Sequence, residues 1–279
     1  MYSAEISRNN PAFIAFLVDR SGSMQDPITG STDDKAKAVA NAVNKLLQNL
    51  AIKCSKGDSI RDYFQVSVIG YGLRDIGVGS IFDGVLAGKD IVTIGEIAAS
   101  PARLEDRTKK VSDGDGGLVD QVVKSPIWFE PSAEGGTPMT AAFIYLKQLL
   151  EPWIGAHQGA FPPIVIHITD GESTDGDPSQ AAQAVASLTT TDGNVLVLNC
   201  HISGGGGQSV IFPSSATGLD QYGEMLFGMS SELPESIAKA AANEGFKVET
   251  GARGFAYQAD LVELIQFLDI GTRPANNLR

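Results

Sequence analysis

The stretch Asp19-Arg20-Ser21-Gly22-Ser23 places one carboxylate and two hydroxyls at alternate positions of a short loop. Two later stretches carry matching chemistry. Thr137 stands in Gly135-Gly136-Thr137-Pro138, and Asp170 stands in Thr169-Asp170-Gly171. Asp19, Ser21, Ser23, Thr137 and Asp170 together offer two carboxylates and three hydroxyls, with no His or Cys among them. An all-oxygen set suits a hard divalent cation: Mg²⁺ first, with Mn²⁺ or Ca²⁺ as alternatives. Two carboxylates balance the charge of the ion. Neutral hydroxyls add none, so the ion can still take another anionic ligand. Any one of the three stretches is an ordinary turn, since Asp, Ser and Gly are common loop formers. The chemistry depends on all three meeting.

The elements around these stretches bring them to one place. Residues 12–18, Ala-Phe-Ile-Ala-Phe-Leu-Val, form a near-continuous apolar run, as expected of a strand buried on both faces. Similar strands are expected at 64–71, 163–169, 195–202 and 254–257, with a shorter one at 81–86 near a sheet edge. Apolar residues recur at helical spacing over 33–53, 138–154 and 260–268; 178–188 and 233–244 also read as helices. Strand–helix alternation predicts an α/β protein, a doubly wound, mostly parallel sheet flanked by helices on both faces. In such sheets ligands sit beyond the carboxyl ends of the strands, where the strand order reverses. Asp19 and Asp170 then leave neighbouring strands at that point, and Thr137 precedes a helix that returns to the same end. Residues 1–270 read as one domain. Residues 88–134 read as a long surface excursion carrying a hairpin, and 271–279 as a flexible tail.

A buried strand ending in Asp-x-Ser-x-Ser, then Gly-Gly-Thr-Pro, then Thr-Asp-Gly, resembles the von Willebrand factor type A (vWA) domain with its metal-ion-dependent adhesion site (MIDAS). The resemblance runs from Phe13 to about Ile270. It implies a Rossmann-like fold and a role as a metal-dependent protein-binding module, not an enzyme. It also implies that Ser21 and Ser23 bind metal directly and that Asp19 acts through water. Thr137 and Asp170 would exchange between direct and water-mediated contact. An Asp or Glu of a partner protein would complete the coordination. Arg20 receives no ligand role. Within the family the chain is similar to free-standing bacterial vWA proteins, including those of tellurite-resistance-type gene clusters beside kinases and phosphatases. That implies a cytoplasmic setting, a stress-response context and kinase or phosphatase partners.

Composition narrows the field. The chain has 279 residues and a formal net charge of -12, which disfavours nucleic acid as a partner. No apolar run approaches the roughly 20 residues that span a bilayer. The start lacks a basic segment followed by an apolar core, and two widely spaced cysteines, Cys54 and Cys200, point to reduced thiols and the cytoplasm. Two other functions compete. One is an accessory subunit of an ATP-driven chelatase-type machine, whose ATPase would be a separate chain. The other is a Mg²⁺-dependent phosphatase using Asp19 as nucleophile, but the general acid it needs two residues on is replaced by Ser21. Asp113-Gly114-Asp115-Gly116-Gly117 is a turn, because the acid that would close a calcium loop is replaced by Lys124. Gly204–Gly207 lacks the lysine of a phosphate loop. His157, His167 and His201 are scattered, and His167, inside a strand, is expected in the core.

Overall fold

The computed structural model describes residues 2–57, 59–73, 77–112, 117–205 and 207–273. The main strands are β1 (Ala12–Asp19), β2 (Phe64–Leu73), β3 (Gly77–Ser80), β4 (Val92–Thr93), β5 (Arg103–Ser112), β6 (Leu118–Ile127), β7 (Ile164–Thr169), β8 (Leu196–Ile202), β9 (Val210–Ile211) and β10 (Phe255–Ala259). The helices are α1 (Lys35–Lys53), α2 (Ile94–Ala99), α3 (Met139–Ala156), α4 (Ser179–Ala186), α5 (Gln221–Met229), α6 (Glu235–Asn243) and α7 (Leu261–Gly271). The central sheet runs β9-β10-β8-β7-β1-β2-β3, with β4 also on β2. Pairing is parallel from β10 to β2 and antiparallel at both margins.

Strand β1 lies between β2 and β7, and all eight of its residues are buried. Its side chains alternate between two cores, as the pleat requires. Ala12, Ile14, Phe16 and Val18 join the core under α1, α2, α6 and α7. Phe13, Ala15 and Leu17 join the core under α3, α4 and α5. Because both faces are covered, the strand reads as an unbroken apolar run rather than an alternating one. The doubly wound, mostly parallel α/β sheet expected from the sequence is the fold observed.

Several local expectations shift. The edge strand is Gly77–Ser80, not 81–86; the latter stretch is loop followed by a single turn of 3-10 helix at Gly84–Leu86. Helix α5 was not legible, being nine residues long with two glycines. The stretch 88–134 is only partly a surface excursion. Val92, Ile94 and Ile97 at one end, and Trp128 and Phe129 at the other, are buried in the core under α1. Buried Asn44 of α1 holds the return: its Nδ2 donates to the Phe129 carbonyl at 3.0 Å, and Trp128 N donates to its Oδ1 at 2.8 Å. Between these ends stands the β5–β6 hairpin. The turn expected at 113–117 falls almost wholly outside the described residues, as do 274–279 of the expected tail. Gly271 instead ends α7, and Thr272 is buried with its hydroxyl donating to the Leu268 carbonyl.

His167 sits in the core, as expected. Its Nδ1 bonds Asn199 Oδ1 at 2.8 Å, so that nitrogen carries the proton. Its Nε2 must therefore accept from the Tyr71 hydroxyl, 2.7 Å away. Asn199 passes the chain on to Ser230 Oγ at 2.9 Å. Burial pushes His167 down to about 4, against the Asn199 bond that favours the charged ring. A base with a depressed folded pKa supplies stability that is complete above its unfolded pKa, about 6.5, and is lost as pH falls towards the folded value. His167 should therefore cost at most about 1.4 kcal/mol per pH unit between roughly pH 6.5 and 4. Its ring proton signals should show no titration between pH 8 and 5 by NMR. A midpoint near 6.5 would contradict the buried, neutral assignment.

Candidate functional site

The site is built where β1 and β7 end side by side, with Val18 paired to Ile168. Asp19 is 1% exposed. Its Oδ1 accepts from Ser21 N, and its Oδ2 accepts from the Thr169 hydroxyl, both at 2.8 Å. Burial raises its pKa to about 6, opposed by the bonds from Ser21 and Thr169. From there the hydroxyls form a chain. Ser23 Oγ donates to Asp170 Oδ1 at 2.8 Å, which commits its proton. The Ser21 hydroxyl, 3.1 Å away, is then the donor to Ser23.

The second loop is attached through its backbone. Gly22 N donates to the Gly135 carbonyl at 2.9 Å, and Glu134 N to the Arg20 carbonyl at 2.8 Å. On its other side Thr174 N donates to the Thr137 carbonyl, and Thr137 N to Thr174 Oγ1, both at 2.9 Å. Asp175 then caps α3, accepting from Thr140 N at 3.0 Å and Ala141 N at 2.8 Å. Thr137 is thus held between the first and third loops and is 5% exposed. Four of the five expected residues lie in one hydrogen-bonded chain, and the fifth is tied to it through main chain. Arg20 leads away from them, its guanidinium donating to the Glu130 carbonyl at 2.7 Å. This is the arrangement that the resemblance to the vWA domain implies. Its first parallel strand is central, and its first, second and third motif loops meet at the carboxyl edge of the sheet.

Comparisons with known proteins find likeness to solved structures only. No protein-family model matches the chain, and no curated protein does. Similar solved structures include the manganese-loaded TRAP protein of Plasmodium vivax, at 15% identity and TM-score 0.42, covering 95% of this chain and 74% of that one. The ArnB paralog VWA2 from Sulfolobus acidocaldarius is 15% identical at TM-score 0.35, covering 71% of this chain and 36% of that one. The pilus adhesin RrgA of Streptococcus pneumoniae is 15% identical at TM-score 0.32, covering 61% of this chain and 22% of that one. Among the described residues, no helix is long and apolar enough to cross a membrane.

Sequence reading did not find Lys35, which is the first residue of α1 and part of this edge. Its Nζ lies 2.7 Å from Asp170 Oδ2 and 3.7 Å from Asp26 Oδ2. The available signal was position: a cation in the first helical turn is disfavoured by the helix dipole and needs an acid from elsewhere. Thr169, Thr174 and Asp175 also escaped notice, because their partners lie on other segments. On the rim, the Tyr222 hydroxyl donates to the Gly171 carbonyl, and His201 stacks on Tyr257 with ring centres 4.6 Å apart. Burial holds His201 down to about 4.

Close approach of two backbones sets the position of the second loop. Gly72 has φ +84°, a region that favours glycine, and a Cβ there would strike the Gly136 carbonyl. A Cβ on Gly135 would strike the Gly72 carbonyl. Both obstacles are main chain and cannot rotate away. Gly135→Ala should therefore cost about 2 kcal/mol, several degrees in Tm by thermal melting. An unchanged Tm would show that the two loops do not pack as described.

Proposed function

We propose that this chain is a metal-dependent protein-binding module, using Asp19, Ser21, Ser23, Thr137 and Asp170 to hold Mg²⁺, with Mn²⁺ or Ca²⁺ as alternatives. The carrying observation is the chain Ser21–Ser23–Asp170 beside buried Asp19 at the carboxyl end of the central strands. Among the described residues, no three His, Cys, Asp or Glu gather in a way that could hold an ion, so a centre here must use hydroxyl ligands. The donor chemistry fits: every available atom is oxygen, as a hard cation requires. The edge also already accepts positive charge, since the Lys35 ammonium rests on Asp170.

When bound, the ion would offer an open position to an anionic oxygen. The residues do the remaining work. Ser21 N and Thr169 orient Asp19, so that its carboxylate is fixed before any ligand arrives. Ser23 orients Asp170. The main-chain bonds to Gly135 and Thr174 hold Thr137 in the same place. A Glu or Asp of a partner protein is the ligand this chemistry favours, with the β5–β6 side of the molecule and the loops after Ser23 and Asp170 shaping the rim. The reading gives Asp19 no catalytic role, since the general acid that a phosphatase would need two residues on is replaced by Ser21. The free, buried thiols of Cys54 and Cys200 support a reducing setting, while kinase or phosphatase partners and a bacterial stress role rest on the resemblance alone.

Calorimetry on chelator-stripped protein should show uptake of one Mn²⁺ or Mg²⁺, abolished by Asp19→Ala. Equal uptake by that variant would overturn the site. Once a partner is in hand, Thr137→Ala should weaken it more than tenfold while changing metal affinity less. Partner binding undiminished by excess chelator would remove the ion from the function. The purified protein should hydrolyse no generic phosphate ester; turnover lost in Asp19→Asn would favour the phosphatase alternative instead.

A further inference from the structure

Lys35 is enclosed in a way that a surface ion pair is not. Its side chain is 7% exposed, and the Asp170 side chain that it meets is fully buried. Three segments surround it. Asp26 and Asp170 face the ammonium, and Lys35 N donates to the Asp26 carbonyl at 2.9 Å. The turn at Gly204 closes over its stem: a Cβ on Gly204 would lie 3.3 Å from Lys35 Cε and 2.5 Å from the Pro27 carbonyl oxygen. That turn is pinned by Thr29 N donating to the Ser203 carbonyl at 3.0 Å. His201 is the other titratable group nearby, and it is held neutral by burial.

An ammonium in the first turn of a helix opposes the helix dipole, and taking it out of water costs more. Both penalties are met chiefly by the buried carboxylate of Asp170 at 2.7 Å, with exposed Asp26 farther off at 3.7 Å. The Asp170 carboxylate is one of the two that balance the divalent ion.

We propose that Lys35 is a resident cation of the site: its ammonium neutralises Asp170, holds the third loop to the first without metal, and competes with the divalent ion for that carboxylate. The inference rests on the metal-site reading above. It has two consequences. Divalent ions bind more weakly than two free carboxylates would bind them. With the ion in place, three carboxylates (Asp19, Asp26 and Asp170) and one ammonium leave the cluster with no net charge, where without Lys35 it would be negative, so the ammonium favours an anionic partner.

The experiment compares wild type with Lys35→Met, which keeps the stem without the charge, and with Lys35→Gln as a second neutral variant. Mn²⁺ affinity is measured by calorimetry, and Tm is measured in chelator and in saturating Mn²⁺. Both variants should bind Mn²⁺ about tenfold more tightly than wild type, melt lower in chelator, and regain more Tm with Mn²⁺. Variants unfolded in chelator but folded in Mn²⁺ would support the proposal in its strongest form. Equal Mn²⁺ affinity in all three proteins, or variants that fold in neither condition, would make Lys35 a purely structural ion pair and overturn it. No Mn²⁺ uptake by any of the three would overturn the metal-site reading itself, and this inference with it.

Discussion

Two carboxylates stand at the ends of adjacent buried strands, and their negative charge must be compensated within a few ångströms. Asp19 is met by a main-chain N–H and a threonine hydroxyl, and Asp170 by a serine hydroxyl and a lysine ammonium. Buried charge is tolerated only when paired and hydrogen-bonded. The four partners come from three segments: the Asp19 loop itself, β7 and the start of α1. The demand of these two side chains is therefore what binds two loops, a strand end and a helix start into one edge.

Compensation differs between the two. Asp19 has only neutral donors, and its pKa rises to about 6 because burial outweighs their bonds. Asp170 has a full positive charge at 2.7 Å. The pair is therefore asymmetric: one carboxylate lacks a counter-charge among its bonded partners, the other is already matched. Under the proposed metal role, an incoming cation would meet unbalanced charge at Asp19 and competition at Asp170. Such an arrangement suits a site whose occupancy is coupled to what else arrives, because an anionic ligand adds the negative charge that Lys35 has offset.

Main-chain contacts give the edge its rigidity. The second loop touches the first through Gly135 and β2 through Gly72, with no side chain between them. It touches the third through Thr174, whose neighbour Asp175 caps α3. Movement of the third loop is thereby coupled to the start of α3, and movement of the second to the end of β2. Polar order continues beneath the edge in Tyr71, His167, Asn199 and Ser230, whose satisfied bonds fix how β2, β7 and β8 stack against α3 and α5.

The local sequence was sufficient for most of the main strands and helices, and it named five candidate residues that the fold brings to one edge. Apolar runs such as 12–18 declare a strand covered on both faces, and Asp-x-Ser-x-Ser, Gly-Gly-Thr-Pro and Thr-Asp-Gly each carry their functional atoms within a few residues. Strand–helix alternation then brings them to one end, because parallel crossovers are right-handed and short. Sequence did not reveal features whose partners are distant. Trp128 and Phe129 fall in the stretch expected as a surface excursion, but they return to the core because Asn44, more than eighty positions earlier, accepts and donates the bonds that seat them. Nothing in the local sequence singles out Lys35 for the site. Its partner Asp170 is 135 positions away, so only the packing of α1 against the end of β7 decides that this ammonium belongs to the site.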